Sequence, residues 1–456
     1  MRDPSLRWNS AVEAMGRNSM SLARTTPGFR RYFANTSWLL AERASRFVAL
    51  VFVGVYVARY LGPQQFGVLS FAASFVGLFG FLSTLGLNQI VVRDIVGKPD
   101  QAGEVLGAAL FLKIFGAVIA VGAILSTSVL VADQDVERGL IGIMSLAFLF
   151  QVADVIELHF QARVESKYVA WARFLQTAIG VSLRLLLIAW NADLIFFAWV
   201  MVAEAAALAV GLGIAYGRVR GWSVKWGFQT RVVGRVVRDS WVLIVAAIAM
   251  SIFMRADKVM IGLFLSPEAV GLYAAASKLT EAWYFVPVAV SSGLFPAIIN
   301  ARKRDVALYR LRVQRLYELM LWLSVGVAVP LSVFSGPIIT LLYGEAYRDA
   351  AGVLALHVWV AVFVFLNNAS WRWYVAENKQ GLALIRLLIG LLINLGLNVV
   401  LIPAYGPTGA AAATLVAWVV AAYLGHAVAA GTRENFYLMS RAIWRVATLR
   451  LPPLRA

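Results

Sequence analysis

Hydrophobic positions in this chain come in long, nearly uninterrupted runs, of which Phe47–Tyr60 and Phe66–Val92 are typical. A run of about 18 apolar residues or more is long enough to cross the hydrocarbon core of a membrane as a helix. Twelve such runs are read, at 36–60, 66–92, 105–130, 139–160, 169–190, 193–216, 239–264, 269–298, 316–335, 350–375, 381–402 and 407–430. The polar stretches between them alternate in charge. One set (1–35, 93–104, 161–168, 217–238, 300–315, 372–380 and 431–456) holds 29 lysines and arginines, and the other holds three, Arg59, Arg138 and Arg348. Lysine and arginine in short loops stay on the cytoplasmic side. The unbroken alternation therefore predicts an even number of spans with both termini cytoplasmic. The expected layout is a basic tail (1–35), a six-helix bundle (36–216), a basic linker (217–238), a second six-helix bundle (239–430) and a basic tail (431–456).

Composition agrees with a membrane solvent. Apolar residues make up 61% of the chain and the mean hydropathy is +0.76, against ~45–50% apolar in soluble domains. A net charge of +17 would suggest nucleic acid in a soluble protein. Here the charge lies in the loops, where topology requires it, so no nucleic-acid partner is expected. The absence of cysteine excludes disulfides and thiolate metal sites, and three scattered histidines, His159, His357 and His426, make a zinc site an unsuitable reading. Met1 to Arg31 is polar and basic, and the apolar stretch after it is too long for a signal peptide and lacks a small-residue cleavage pattern. In the last segment Tyr437, Ile443, Trp444 and Leu449 alternate with Arg441, Arg445 and Arg450. An amphipathic helix on the anionic inner leaflet and a frayed basic tail both fit.

The chain also contains a repeat. Leu61-Gly62-Pro63-Gln64-Gln65-Phe66-Gly67 matches Leu265-Ser266-Pro267-Glu268-Ala269-Val270-Gly271 at an offset of 204, and Ala72 matches Ala276. Proline suits a first helical turn and glycine a close helix crossing. A second echo pairs Val164-Glu165-Ser166-Lys167 with Ala376-Glu377-Asn378-Lys379 at an offset of 212. Both echoes agree in order and orientation, which predicts a parallel six-plus-six repeat about an axis along the membrane normal. That is a transporter architecture.

These residues resemble the polysaccharide-biosynthesis (Wzx-type) flippases of the multidrug/oligosaccharidyl-lipid/polysaccharide exporter superfamily. The resemblance runs through Tyr60 to Gly67, Leu85-Gly86-Leu87 and Arg93-Asp94 in the first half. In the second it runs through Arg255-Ala256-Asp257-Lys258-Val259-Met260-Ile261-Gly262, Val270 to Ala276, Pro287, Phe295-Pro296, Asn394, Asn398, Ile402 to Gly406 and Gly409-Ala410-Ala411. It implies an all-α, V-shaped pair of six-helix bundles that moves undecaprenyl-pyrophosphate-linked oligosaccharides across the bacterial inner membrane by alternating access. Implied partners are membrane lipids and the lipid-linked oligosaccharide, with a polysaccharide polymerase and a chain-length regulator as further candidates and a monomer as the expected state.

Charges inside the apolar runs are the candidate functional residues, because a central charge costs ~2.5–3.5 kcal/mol on insertion scales. Arg59, Arg93, Arg163, Arg173 and Arg386 fit snorkelling near helix ends. Arg46, Lys113, Arg184, Arg255 and Lys258 are the candidates for binding an anionic diphosphate, since arginine offers a planar fork of donors and keeps its charge when desolvated. Arg255 is singled out because Asp257, two residues on, faces another way, and because Ser251, Arg255 and Lys258 share a face. Glu42–Arg46 and Lys278–Glu281 have the spacing of intrahelical ion pairs, and Gln151, Asp154 and Glu157 form a stripe. Trp38, Trp283, Asn367, Asn368 and Trp371 would suit sugars. No cofactor is expected. A coupling ion, proton or sodium, is the candidate energy source, with Asp154, Glu204, Asp257 and Glu281 as the acids nearest the membrane middle.

Two other classes fit less well. A cation-coupled drug exporter of the same architecture calls for an acidic or apolar cavity, whereas the intramembrane charges lean basic. A membrane-embedded enzyme needs a large outward loop, and the longest one, Gly336 to Asp349, offers only Tyr343-Gly344-Glu345. No nucleotide motif appears, and no catalytic role is expected.

Overall fold

The computed structural model describes residues 27–131, 135–221, 226–377 and 379–449. Expectations for the N-terminal tail up to residue 26, loop residues 132–134, linker residues 222–225, Asn378 and the chain from residue 450 lie outside them. Among the described residues all regular structure is helical. Ten stretches are long and apolar enough to cross a membrane. Two of them are each broken at a positive-φ glycine, Gly62 (φ 69) and Gly406 (φ 62). At Gly406 the chain reverses, for Gly409 lies against the backbone carbonyl of Leu401. Dividing both stretches at these glycines gives twelve segments, the number read from the apolar runs. They are α1 (27–61), α2 (63–97), α3 (Ala102–Val131), α4 (Asp135–Ala162), α5 (Ser166–Ala189), α6 (Leu194–Arg220), α7 (230–264), α8 (267–304), α9 (Val306–Val333), α10 (Ala350–Glu377), α11 (380–405) and α12 (407–428). Inward below means the side of the basic loops.

Several boundaries differ from the sequence reading. Helix α9 begins ten residues before the expected 316, because Arg310, Arg312 and Arg315 sit within its first turns. The linker is shorter than 217–238, since α6 runs to Arg220 and α7 starts at Thr230. The C-terminal segment is a helix, α13 (Arg433–Ala447). Its residues Asn435, Met439, Ala442 and Val446 recur at helical spacing and are buried. Arg445 reaches the buried Glu318 of α9 at 2.5 Å, and Asn435 accepts a hydrogen bond from Tyr317.

The repeated motif is where the two halves meet. A Cβ at Gly67 would fall 1.7 Å from the carbonyl oxygen of Pro267, and one at Gly271 would fall 2.0 Å from that of Pro63. The contact is reciprocal: each glycine receives the first proline of the other copy. Only glycine lets α2 and α8 approach so closely. The repeat offset recurs further along, relating Phe79, where α2 breaks, to Trp283 in the 3-10 turn Ala282–Tyr284 that interrupts α8. On the outward side Tyr347 donates a 2.8 Å hydrogen bond to the Ala58 carbonyl of α1. On the inward side Arg93 of α2 pairs with Asp239 of α7 at 2.8 Å, and Phe47 of α1 packs on Phe285 of α8 at 5.0 Å.

A basic cavity between the halves

The lobes enclose a central cavity of about 430 Å³, lined by Arg184, Arg255, Lys258, Lys278 and Glu281 among apolar and serine side chains. A second chamber of about 240 Å³ shares Gly54, Arg184 and Lys278 with it and adds Arg46, Gln176, Thr177 and Glu204. Five cations and two carboxylates line the pair.

Each cation is placed by a specific local device. Helix α7 breaks at Met254 and Arg255, so Arg255 sits at the start of its outward piece, Ala256–Phe264. Its side chain crosses to the first lobe at Gly77, where a Cβ would fall 2.2 Å from the guanidinium Nε. Ser251, one turn earlier, donates a 3.0 Å hydrogen bond to the Gly77 carbonyl. The break separates Ser251 from the cavity: it fastens α7 to α2 rather than sharing a cavity face with Arg255. Arg184 makes a two-pronged bridge to Glu204 of α6, at 2.6 and 3.0 Å, and Glu204 reaches it through the space left by Gly180. Arg46 pairs with Glu42 at 3.2 Å, as the spacing suggested.

The structure departs from the sequence reading at four charges, Glu281, Lys278, Lys113 and Arg386. Glu281 pairs with Lys258 of α7 at 3.1 Å, not with Lys278. Residues three apart on one helix lose here to a partner on the neighbouring one. Lys278 instead stands over the ring of Phe66 at 4.4 Å, a cation–π contact. Lys113 lies outside the cavity: it is 1% exposed, buried inside the first lobe. Arg386, expected to snorkel, is 6% exposed. It donates to the carbonyl of Ala421, which a π-helical turn, Val420–Leu424, takes out of the α-helical pattern, and it stacks on Tyr374. Of the five candidate anion-binding residues, the cavities therefore gather Arg46, Arg184, Arg255 and Lys258.

Asp257 faces away from the cavity cations, into the second lobe. Its Oδ1 accepts from the side-chain amides of Asn394 (3.1 Å) and Asn398 (2.7 Å), and its Oδ2 from the hydroxyls of Tyr273 (2.7 Å) and Thr414 (2.5 Å). It makes no ion pair among the described residues, and it is buried. Sequence reasoning missed this shell, although two asparagines four apart in the apolar α11 were a usable signal. The other candidate acids differ. Glu204 and Glu281 are ion-paired, and Asp154 lines a separate cavity in the first lobe. The residues expected to suit sugars do not converge: Trp38 pairs with Trp171, Trp283 packs on Phe47, and Asn368 bonds to the Val364 carbonyl of its own helix.

Two pseudo-symmetric six-helix lobes around a charged central cavity define a polytopic alternating-access transporter fold. The chain belongs to the polysaccharide biosynthesis protein family, whose model matches residues 33–302. Among its relatives is a Haloferax volcanii protein named as a probable low-salt glycan biosynthesis flippase, Agl15, 24% identical over 395 residues, covering 81% of this chain and 78% of that protein. Another, from Escherichia coli (strain K12), is named as a putative O-antigen transporter and is 21% identical over 368 residues, covering 78% and 83%. The fold matches the lipid II flippase MurJ in an inward closed conformation, with a TM-score of 0.70 at 13% identity over 93% of this chain and 94% of that one. It also matches an inward-facing multidrug resistance transporter of the MATE family, with a TM-score of 0.69 at 14% identity over 88% and 99%. An outward-facing form of a MATE family transporter overlays with a TM-score of 0.56.

Proposed function

We propose that the protein moves an undecaprenyl-diphosphate-linked oligosaccharide across the inner membrane for surface polysaccharide synthesis, by alternating access of its central cavity. The observation that carries this reading is the five-to-two excess of cations over carboxylates, with Arg255 reaching across from one lobe to the other. A diphosphate entering a low-dielectric space needs counter-charges already in place. Arg255 and Lys278 make no ion pair among the described residues, so both have charge to offer it. Arg184 and Lys258 are held in position by Glu204 and Glu281. The names of the two relatives, a probable glycan biosynthesis flippase and a putative O-antigen transporter, support the same cargo class.

The likeness to MATE transporters supports a second reading, export of a drug, but the excess positive charge disfavours cationic drugs. The test is complementation of a strain lacking its own flippase, with surface polymer and membrane protein level read together. Restoration of polymer supports the first reading; drug resistance without polymer supports the second.

For energy, the reading assigns Asp257 as the acid that exchanges a proton or sodium ion, because it alone of the four candidates is buried with only neutral partners among the described residues. Cargo movement in vesicles indifferent to every imposed gradient would remove this role. The topology belongs to the same proposal: alkaline-phosphatase fusions should be inactive at Lys225, Arg302 and Gly431 and active at Asp135, Glu268 and Glu345. A monomer exchanging cargo with a polymerase and a chain-length regulator completes it, and activity of the fusion at Lys225 would overturn the orientation.

A further inference from the structure

The first lobe holds another cavity, of about 640 Å³, near its inward end between α2, α4 and α5. Asn88, Gln89, Asp154, Glu157, Gln161 and Arg173 line it. Its chemistry differs from that of the central chamber. Glu157 and Arg173 neutralise each other at 2.6 Å. Arg93, also on its wall, is held by Asp94 and Asp239, both at 2.8 Å. With those charges paired, the groups without a side-chain hydrogen bond among the described residues are the three amides, which are exposed, and Asp154, whose charge is felt by the buried Lys113. One carboxylate oxygen of Asp154 is buried without a hydrogen-bond partner.

An amide presents donors and an acceptor together, and a carboxylate only accepts. Three free amides beside one unsatisfied carboxylate oxygen suit a neutral ligand dense in hydroxyl or N-acetyl groups, which both donate and accept. A diphosphate would meet two carboxylates and two paired arginines here, and four cations with one carboxylate in the central chamber, so it sorts to the centre. The two regions lie along one helix face. Arg173 lines the first-lobe cavity, Gln176 and Thr177 line the middle chamber, and Arg184 is common to the middle and central ones. Arg173 and Arg184 are three helical turns apart, a rise of about 16 Å, a span that a diphosphate and its first sugars can bridge.

We infer that the first-lobe cavity is the glycan subsite: it holds the neutral sugars of the cargo while the central cations hold the diphosphate, with Asn88, Gln161 and Asp154 as specificity-determining residues. The inference rests on the proposed cargo and gives Asp154 a recognition role in place of ion coupling.

The test uses the full chain in lipid nanodiscs and two probes, a polyprenyl diphosphate and the same carrier bearing a neutral disaccharide, with binding read by intrinsic fluorescence. The native protein binds the sugar-bearing carrier more tightly. Asn88→Ala and Gln161→Ala, both at exposed side chains and so without cost to folding, each weaken that probe by about tenfold, the worth of one or two hydrogen bonds, and leave the sugar-free carrier unchanged. Arg255→Ala weakens both. Equal binding of both probes by the native protein, or equal weakening of both by the Asn88 and Gln161 variants, overturns the subsite while the transport reading stands. Variants that change neither probe overturn it too. If the native protein binds neither probe, the proposed cargo itself falls and takes the subsite with it.

Discussion

The two lobes are built on one plan, and the second holds an acid of a kind not found among the candidate acids of the first, although that second lobe also pairs Glu281 with Lys258 and Glu318 with Arg445. In the second lobe Asp257 is held by four neutral donors. In the first lobe the acids face cations or open space: Glu204 is bridged by Arg184, Glu157 by Arg173, Glu42 by Arg46, and Asp154 borders a cavity. A carboxylate with a cation beside it is already neutralised and gains little from a small ion. A carboxylate held only by neutral donors has no counter-ion, so a cation that reaches it displaces no arginine. The two halves thus share helix order and differ at one point: only the second places a candidate acid, Asp257, among neutral partners alone among the described residues.

Asp257 should be the most sensitive position under this contrast. Asp257→Ala leaves the hydroxyls of Tyr273 and Thr414 without their acceptor, while Asn394 and Asn398 keep one partner each, and each buried unsatisfied group costs about 1–3 kcal/mol. The expected outcome is a large fall in thermal stability, read by detergent size-exclusion melts, together with loss of transport. Asp257→Asn keeps an acceptor for the hydroxyls, so it should accumulate normally and lose transport alone. Normal transport by Asp257→Asn would erase the distinction between the lobes.

Next in size is Arg255→Ala, which should abolish surface polymer while the protein still inserts and accumulates. Arg255→Lys should keep part of the function, because an ammonium retains the charge and loses the fork. Full complementation by the alanine variant would take the residue out of the mechanism. If the variant instead fails to accumulate, the role is structural.

A smaller effect is expected at Glu204. Glu204→Gln frees Arg184 without removing it, so affinity for a polyprenyl diphosphate should fall by less than about tenfold, as for a lost charge-assisted hydrogen bond. Arg184→Ala should cost more. An inverted order would mean that the acid, not the arginine, meets the cargo.

The smallest effect belongs to α13. Its exposed pair of Arg310 and Glu434, 2.6 Å apart, should contribute under about 1 kcal/mol, so Glu434→Gln should melt almost as the native chain does. Glu318 is buried under Arg445, and Arg445→Ala should cost clearly more.

The sequence exposed what depends on solvent and on periodic pattern. Apolar runs and basic loops gave the twelve segments, and two prolines with two glycines gave the repeat whose copies cross in the structure. Arg255 was legible because an unpartnered arginine deep in a run has few bland explanations. What stayed hidden depends on contacts between helices. The choice of Lys258 over Lys278 by Glu281 is decided by how α7 and α8 face each other after the turn at Ser266, which no spacing rule encodes. Lys113 looked like a cavity cation because a run shows depth and not direction: α3 turns it into the lobe. The breaks at Phe79 and at Met254–Arg255 carry no proline, so nothing local announced them.

The crossing of Gly67 and Gly271 bears on ancestry. A contact in which Pro63 meets Gly271 while Pro267 meets Gly67 is the kind that two identical chains make across a dyad. An ancestor half this length would have carried both sides of that joint in one stretch of sequence, so a single mutation would have struck it twice. Fusion of two copies ended that coupling and let the rest of each copy specialise, yet the joint still demands a small residue from both. It is a fossil of self-pairing retained inside a single polypeptide.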